Sequence, residues 1–174
     1  MTYIEKYYGA IESGKIVTSE KIRRTYKHLV AKMHDKNSAY IYDDEKANFA
    51  IDFIQTFCKH SKGKWGGKPL ILELWQKAAT AALFGFIDKR TGLREYRQLI
   101  LIVARKNGKS TWAAGIALYL LVADGEAGPE IYSAATKRDQ AKIIWTEVRR
   151  MIKKSPALNK HIKCLVGSIR CPFN

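Results

Sequence analysis

The sequence is poor in acidic residues, in cysteine and in long apolar runs. Its 16 Asp and Glu residues are outnumbered by 31 Lys and Arg. The three cysteines (Cys58, Cys164 and Cys171) form no C-x-x-C pair, which argues against a zinc site and favours reduced thiols. No run approaches the ~18 apolar residues of a membrane span, and the N-terminus lacks the apolar core of a signal peptide. We therefore expect a soluble, cytoplasmic protein without a membrane partner.

The excess of positive charge predicts a polyanionic partner. A folded chain with a formal net charge of +15 repels itself and attracts nucleic acid or an anionic surface. A basic but inert surface is the alternative. Residues 58–69, with the sequence CKHSKGKWGGKP, combine four lysines with Trp65 in a Gly-rich loop. Such a loop either contacts phosphates or is a solvated linker.

Hydrophobic periodicity predicts helices in the first part of the chain and alternating strands and helices in the rest. The predicted helices begin after the candidate N-cap Ser19, near Asp43 or Asp44, after Pro69, at residue 111 and at residue 137. Two short apolar runs, residues 98–104 and 130–135, predict buried strands. One or two further strands are expected around Gly167. This order predicts an α/β fold with a P-loop NTPase-type parallel sheet flanked by helices, after an N-terminal helical subdomain.

Residues 105–110, RKNGKS, resemble the phosphate-binding pattern G-x-x-x-x-G-K-[ST], with Val103 in the position of the first glycine. Gly108 lets the backbone approach a phosphate, Lys109 reaches the β and γ oxygens, and the Ser110 hydroxyl can bind Mg²⁺. Backbone N–H groups at the start of a helix also favour an anion there. The alternative is a basic turn capped by Ser110.

Three motifs together resemble the ATPase domain of tailed-phage terminase large subunits. They are LELWQ at residues 72–76, ARKNGKST at residues 104–111 and YSAATKRDQAKIIWTE at residues 132–147. The resemblance implies a motor whose P-loop ATPase domain drives double-stranded DNA into a procapsid and whose nuclease domain cuts it. It also implies ATP, Mg²⁺, a homo-oligomeric ring, a small terminase subunit and a portal as partners, and the host cytoplasm as location.

The resemblance assigns roles to individual residues. Lys109 and Arg105 are the implied catalytic residues, and a guanidinium beside transferring phosphoryl oxygens stabilises the charge of the transition state. Gln76 is the implied adenine contact, since an amide both donates and accepts. The implied nucleotide-binding residues are Gln76, Lys106, Asn107, Gly108, Lys109, Ser110 and Thr111, with Ser110 also binding Mg²⁺. From the residues alone, the alternative is that Arg105 and Lys106 are solvated loop charges and that Gln76 is an ordinary helix residue.

The acidic residues that hydrolysis requires are not in their usual place. P-loop enzymes use one acid for the metal and one to position water, usually at the end of an apolar strand. The sequence has no Asp or Glu after Glu147, while Glu126, Glu130 and Asp139 follow no apolar strand. We therefore expect residues 1–69 to form a helical subdomain and residues 70–174 to be the first part of an ATPase core, truncated before these acids. Such a chain should not hydrolyse ATP alone.

Two other functions stay open. The first is a non-catalytic, basic nucleic-acid-binding domain in which RKNGKS is a phosphate-contacting turn. The second is another P-loop enzyme, such as a helicase-like ATPase. Gln76 together with Arg105 favours the terminase over the second.

Overall fold

The computed structural model describes residues 1–172, which form two compact units. The first unit comprises Met1–Ile51 and Leu72–Leu101. The second comprises Asp52–Ile71 and the described residues from Ile102 onward. The boundary predicted between residues 69 and 70 stays a prediction about domain organisation.

The first unit is mainly helical, with one small sheet. Its elements are α1 (Tyr3–Glu12), α2 (Glu20–Met33), β1 (Tyr40–Tyr42), the start of α3 (Asp44–Phe57), α4 (Leu74–Gly85) and β2 (Phe86–Asp88). Strands β1 and β2 are antiparallel, and Ile41 pairs with Ile87. Helix α1 packs against both α2 and α4, so its buried side chains form the centre of this unit.

Local capping explains where the first two helices begin. The Thr2 hydroxyl accepts a hydrogen bond from the Glu5 N–H (3.3 Å), and the Glu5 carboxylate accepts one from the Thr2 N–H (2.7 Å). This reciprocal arrangement satisfies two backbone donors at the start of α1. The hydroxyl of Ser19 accepts from the N–H of Ile22, which confirms Ser19 as the predicted cap of α2.

The second unit contains the end of α3 and every element after residue 102. These elements are α5 (Lys109–Val122), α6 (Arg138–Lys154), α7 (Pro156–His161), β3 (Lys163–Cys164) and β4 (Ile169–Arg170). Helix α5 packs against α6, and α6 against α7. Strands β3 and β4 are antiparallel and are closed by a hydrogen bond from the Leu165 N–H to the Ser168 carbonyl (2.9 Å). The strands predicted around Gly167 are therefore confirmed.

The parallel sheet predicted for residues 98–104 and 130–135 is not present in residues 1–172. Neither segment is a strand in the described structure, and the sheets there are the two antiparallel pairs. Ile100, Ile102 and Tyr132 are 84%, 93% and 81% exposed, so the prediction that these runs are buried was wrong. An apolar run supplies the side chains of a buried strand, but a strand also requires a hydrogen-bonded neighbour, which sequence periodicity cannot supply.

Across the described residues, every helix is too short or too polar to cross a bilayer.

Two helical glycines differ in their surroundings and give a matched test of packing. A Cβ added to Gly85 in α4 would lie 2.5 Å from Tyr42 Cε2 and 3.0 Å from Ala47 Cβ, whereas one added to Gly9 in α1 meets nothing within 4 Å. We expect Gly85→Ala to lower the free energy of unfolding by about 1–3 kcal/mol through overpacking. Gly9→Ala should raise it by about 0.5–1 kcal/mol through helix propensity. Urea denaturation measures both changes, and equal effects of the two substitutions would contradict the close packing at Gly85.

Candidate nucleotide-binding site

The loop before α5 has a backbone shape that suits an anion. Gly108 is the N-cap of α5 with φ 71°, and Lys106 has φ 68° although it carries a side chain. A positive φ is uncommon for a residue other than glycine and tends to occur at functional sites. Alternation of left-handed residues with their neighbours turns successive N–H groups toward one side, which makes a concave anion-binding surface. Residues 105–108 therefore form a turned loop that leads into the helix.

The start of α5 adds donors to this loop. Lys109, Ser110 and Thr111 are its first three residues, so their N–H groups have no acceptor within the helix. The Lys109 ammonium donates a hydrogen bond to the Val103 carbonyl (3.2 Å), so its side chain folds back along the loop. The Asn107 amide nitrogen donates to the Ala104 carbonyl (3.3 Å), which holds the turn together. A phosphate at this position would meet several N–H groups and one cation.

Helix α5 is held firmly behind the loop. Its buried residues include Trp112, Leu118 and Tyr119, and the Tyr119 ring lies edge-on to Phe53 with their centroids 5.7 Å apart. Gly115 allows a close approach to α3, since a Cβ there would lie 3.0 Å from Ile54 Cγ2. These contacts fix the position of the loop because the first turn of α5 continues directly from it.

A cleft of about 490 Å³ opens beside the first turn of α5. This volume falls within the usual range for small-molecule sites, ~300–1,000 Å³. Three segments of the second unit form its wall: the loop after α3, the first turn of α5 and one face of α6. The lining residues are His60, Ser61 and Lys62 in the loop, Ser110 and Thr111 on α5, and Asp139, Lys142, Ile143, Thr146, Glu147 and Arg150 on α6. Cations and carboxylates therefore share the cleft with two hydroxyls of the loop motif.

A buried carboxylate forms one side of this cleft. Glu147 is only 8% exposed, and the Ser61 hydroxyl lies 2.8 Å from both of its carboxylate oxygens. A buried ionised carboxylate is costly unless hydrogen bonds compensate for the water it loses. The serine thus supports a buried carboxylate in the cleft that Ser110 and Thr111 also line.

The structure brings only some of the predicted site residues to the cleft. Of that set, Ser110 and Thr111 line it in the described structure, and Lys109 precedes them on the same helix. Arg105 and Lys106 lie exposed in the turn. Gln76 belongs to the first unit, where it is 5% exposed and its side-chain oxygen accepts from the Glu73 N–H (2.9 Å). Its predicted contact with adenine stays a prediction.

The reasoning from sequence missed the polar face of α6. Asp139, Lys142, Thr146, Glu147 and Arg150 recur at spacings of three and four residues, which places them on one face of a helix. That spacing is present in the sequence and is the signal that could have identified this face. Nothing in the sequence indicated that Ser61 would contact this face from 86 positions away.

Metal binding has limited support in the described residues. They contain no group of three or more His, Cys, Asp or Glu side chains able to hold a metal ion. Cys58 is a buried free thiol whose pKa is raised to about 12 by that burial. For Mg²⁺, which prefers oxygen ligands and usually retains waters and nucleotide phosphates, the Ser110 hydroxyl and the nearby carboxylates are chemically suitable.

Removing the Ser61 hydroxyl tests the buried carboxylate. We expect Ser61→Ala to lower the free energy of unfolding by about 1–3 kcal/mol, because Glu147 loses its hydrogen-bond donor inside the protein. Ser13→Ala removes an exposed serine hydroxyl that bonds the Ala10 carbonyl and should change stability by less than about 0.5 kcal/mol. Chemical denaturation of both variants measures the difference. If Ser61→Ala cost no more in Glu147-containing protein than in a Glu147→Leu background, the proposed stabilisation would be absent.

Comparisons with known proteins identify the family of this chain. A family model described as "Terminase large subunit, ATPase domain" matches residues 74–169. The terminase large subunit of Enterobacteria phage HK97 is 35% identical over 111 residues, covering 63% of this chain and 21% of the relative. The crystal structure of the HK97 bacteriophage large terminase has a TM-score of 0.60 at 29% identity, covering 72% of this chain and 25% of that one. This chain thus spans about a fifth to a quarter of the relatives it matches, and it belongs to the terminase large subunit ATPase-domain family.

Proposed function

We propose that this chain binds the phosphates of ATP with the loop at residues 105–108 and the first turn of α5. The carrying observation is the positive φ of Lys106 and Gly108 immediately before a firmly packed helix. Such a loop presents N–H groups to an anion at the positive end of the helix. We assign the chain to a P-loop NTPase-type fold, and its likeness to the HK97 large terminase supports this assignment.

Individual roles follow from chemistry and from the family motif. Lys109 exchanges its bond to the Val103 carbonyl for β and γ oxygens of the nucleotide. Arg105, exposed at the first position of the turn, stabilises charge on the transferring phosphoryl group. Asn107, Gly108 and Thr111 bind the phosphates together with Lys106. The adenine contact assigned to Gln76 rests on the family motif alone.

Ser110 would hold Mg²⁺ through its hydroxyl, beside the carboxylates that line the cleft. When bound, Mg²⁺ neutralises charge on the phosphate oxygens. Asp139 and Glu147 come from α6 rather than from the end of a strand, and the Glu147 carboxylate accepts a hydrogen bond from the Ser61 hydroxyl. We therefore assign nucleotide binding to this chain and do not assign a hydrolytic role to either carboxylate.

For the whole protein we propose ATP-driven packaging of double-stranded DNA. The HK97 relatives carry the name of the terminase large subunit, and this chain covers 21% and 25% of them. A ring of subunits, a small terminase subunit and a portal are the proposed partners, with the host cytoplasm as the place of assembly. The net charge of +15 supports a polyanionic substrate.

Replacing the loop lysine tests nucleotide binding. We expect Lys109→Ala to weaken binding of a non-hydrolysable ATP analogue with Mg²⁺ by roughly tenfold or more, because a charged hydrogen bond to phosphate is worth ~1.5–3 kcal/mol. Isothermal titration calorimetry measures this loss. Lys21→Ala, which removes an exposed lysine from α2, is the matched control and should bind like the parent chain. Equal affinity of the two variants would exclude the loop as the phosphate site. In a separate assay with ATP and Mg²⁺, phosphate release above background would show that this chain already hydrolyses ATP.

DNA binding has a distinct salt signature. We expect the affinity for double-stranded DNA to fall steeply, by about tenfold or more between ~50 and ~200 mM salt, since lysines and arginines that face phosphates release counterions. Unrelated duplex sequences of equal length should bind with similar affinity because phosphate contacts carry no sequence information. Fluorescence anisotropy across a salt series measures both quantities. Affinity that does not change with salt would remove DNA from the proposal.

A further inference from the structure

The second unit contains a basic loop with a defined shape, residues 58–70, which we call the Trp65 hairpin. Four backbone hydrogen bonds close it: Leu70 N–H to the Cys58 carbonyl, His60 N–H to the Lys68 carbonyl, Gly67 N–H to the His60 carbonyl and Lys68 N–H to the Trp65 carbonyl. All four have donor–acceptor distances of 2.8–2.9 Å. The loop is therefore an ordered structure rather than a solvated linker.

The tip of this hairpin exposes an aromatic ring between cations. Trp65 is 51% exposed, and the ammonium groups of Lys64 and Lys68 lie 5.4 Å and 4.9 Å from the ring centroid. Both distances are within the ~6 Å range of cation–π attraction. The ring thus holds two positive charges close together, which reduces the side-chain freedom they would lose on binding an anion.

The charge around the ring is of one sign. Lys59, Lys62, Lys64 and Lys68 lie in this hairpin, and residues 53–72 include no Asp or Glu. In the described part of the chain, no ion pair within 4.0 Å engages any of these lysines. A compact group of uncompensated cations attracts a polyanion, and an indole adds an N–H donor and a flat apolar face.

We propose that the Trp65 hairpin is a contact surface for the phosphate backbone of double-stranded DNA. Lys64 and Lys68 neutralise neighbouring phosphates, while Trp65 keeps both ammonium groups in place and packs against the sugar–phosphate edge. This inference rests on the proposed function, which supplies DNA as the partner, and it adds the residues that meet it. The base of the same hairpin provides His60, Ser61 and Lys62 to the candidate nucleotide cleft, so the tip extends from a fixed support.

Paired charge removals test the assignment in the full 174-residue chain. Lys64→Gln with Lys68→Gln should weaken duplex binding by about tenfold or more at ~0.1 M salt and reduce the slope of log affinity against log salt by about 1.8, or ~0.9 per lost phosphate contact. Lys21→Gln with Lys27→Gln removes two exposed lysines from α2 and should change the slope by less than about half as much. Fluorescence anisotropy with one duplex measures both variants.

The aromatic ring has its own test. Trp65→Ala should weaken duplex binding by about tenfold because the ammonium groups lose their common support, while Trp65→Phe should stay within about threefold of the parent chain. Unfolding curves that match the parent chain confirm that these exposed substitutions leave the fold intact.

The outcomes separate this inference from the proposed function. If the parent chain binds no duplex, the DNA part of the proposed function fails and the hairpin assignment fails with it. If the parent chain binds with the expected salt dependence but the two lysine pairs have equal effects, the hairpin assignment alone is overturned. Tighter binding of a single strand than of a duplex, with the same dependence on Trp65, would also overturn the duplex assignment.

Discussion

The hydrogen bonding between Ser61 and the buried Glu147 carboxylate determines the arrangement of the candidate site. Glu147 is buried and its carboxylate accepts a hydrogen bond from the Ser61 hydroxyl, which ties residue 61 to α6. Ser61 belongs to a hairpin that is closed by its own backbone hydrogen bonds, and fixing one residue therefore fixes the whole hairpin. Ser61 and Glu147 both line the cleft beside α5, and Trp65 lies in the same hairpin as Ser61.

Helix α5 has a packed, apolar middle and a polar first turn, so one part of the helix serves stability and another part lines the site. Its middle is apolar and packed, with Trp112 and Leu118 almost fully buried, while its first turn carries polar groups beside the cleft. The unfavourable φ of Lys106 is supported by this arrangement, because backbone strain persists only where surrounding structure enforces it. A rigid helix behind a strained loop keeps N–H groups oriented before any anion arrives, which lowers the entropy lost on binding.

Local signals in the sequence predicted local structure well. Ser19 was recognisable as a cap because its hydroxyl serves a donor only three residues away, and the spacing around Gly167 indicated the β3–β4 turn. Glycine and lysine before an apolar helix likewise indicated the loop at Gly108 and Lys109. These features depend on residues that are close in sequence, so a single sequence is sufficient to predict them.

Long-range features were not predictable in the same way. The contact between Ser61 and Glu147 joins residues 86 positions apart, and periodicity reports which face of a helix is polar but not what meets it. The same limit explains residues 98–104, whose apolar pattern predicted a buried strand without indicating a hydrogen-bonding neighbour. Gln76 shows a third case, because a side chain that resembles a ligand contact also serves the start of its own helix.

The exposure of Ile100 and Ile102 affects how copies of this chain behave toward one another. Exposed apolar side chains on two molecules can associate with one another, whereas a net charge of +15 on each molecule keeps copies apart. This repulsion acts over a Debye length of about 10 Å at ~0.1 M ionic strength and shortens as salt is added. Raising the ionic strength therefore shifts the balance of colloidal forces toward self-association, and low ionic strength preserves separate molecules.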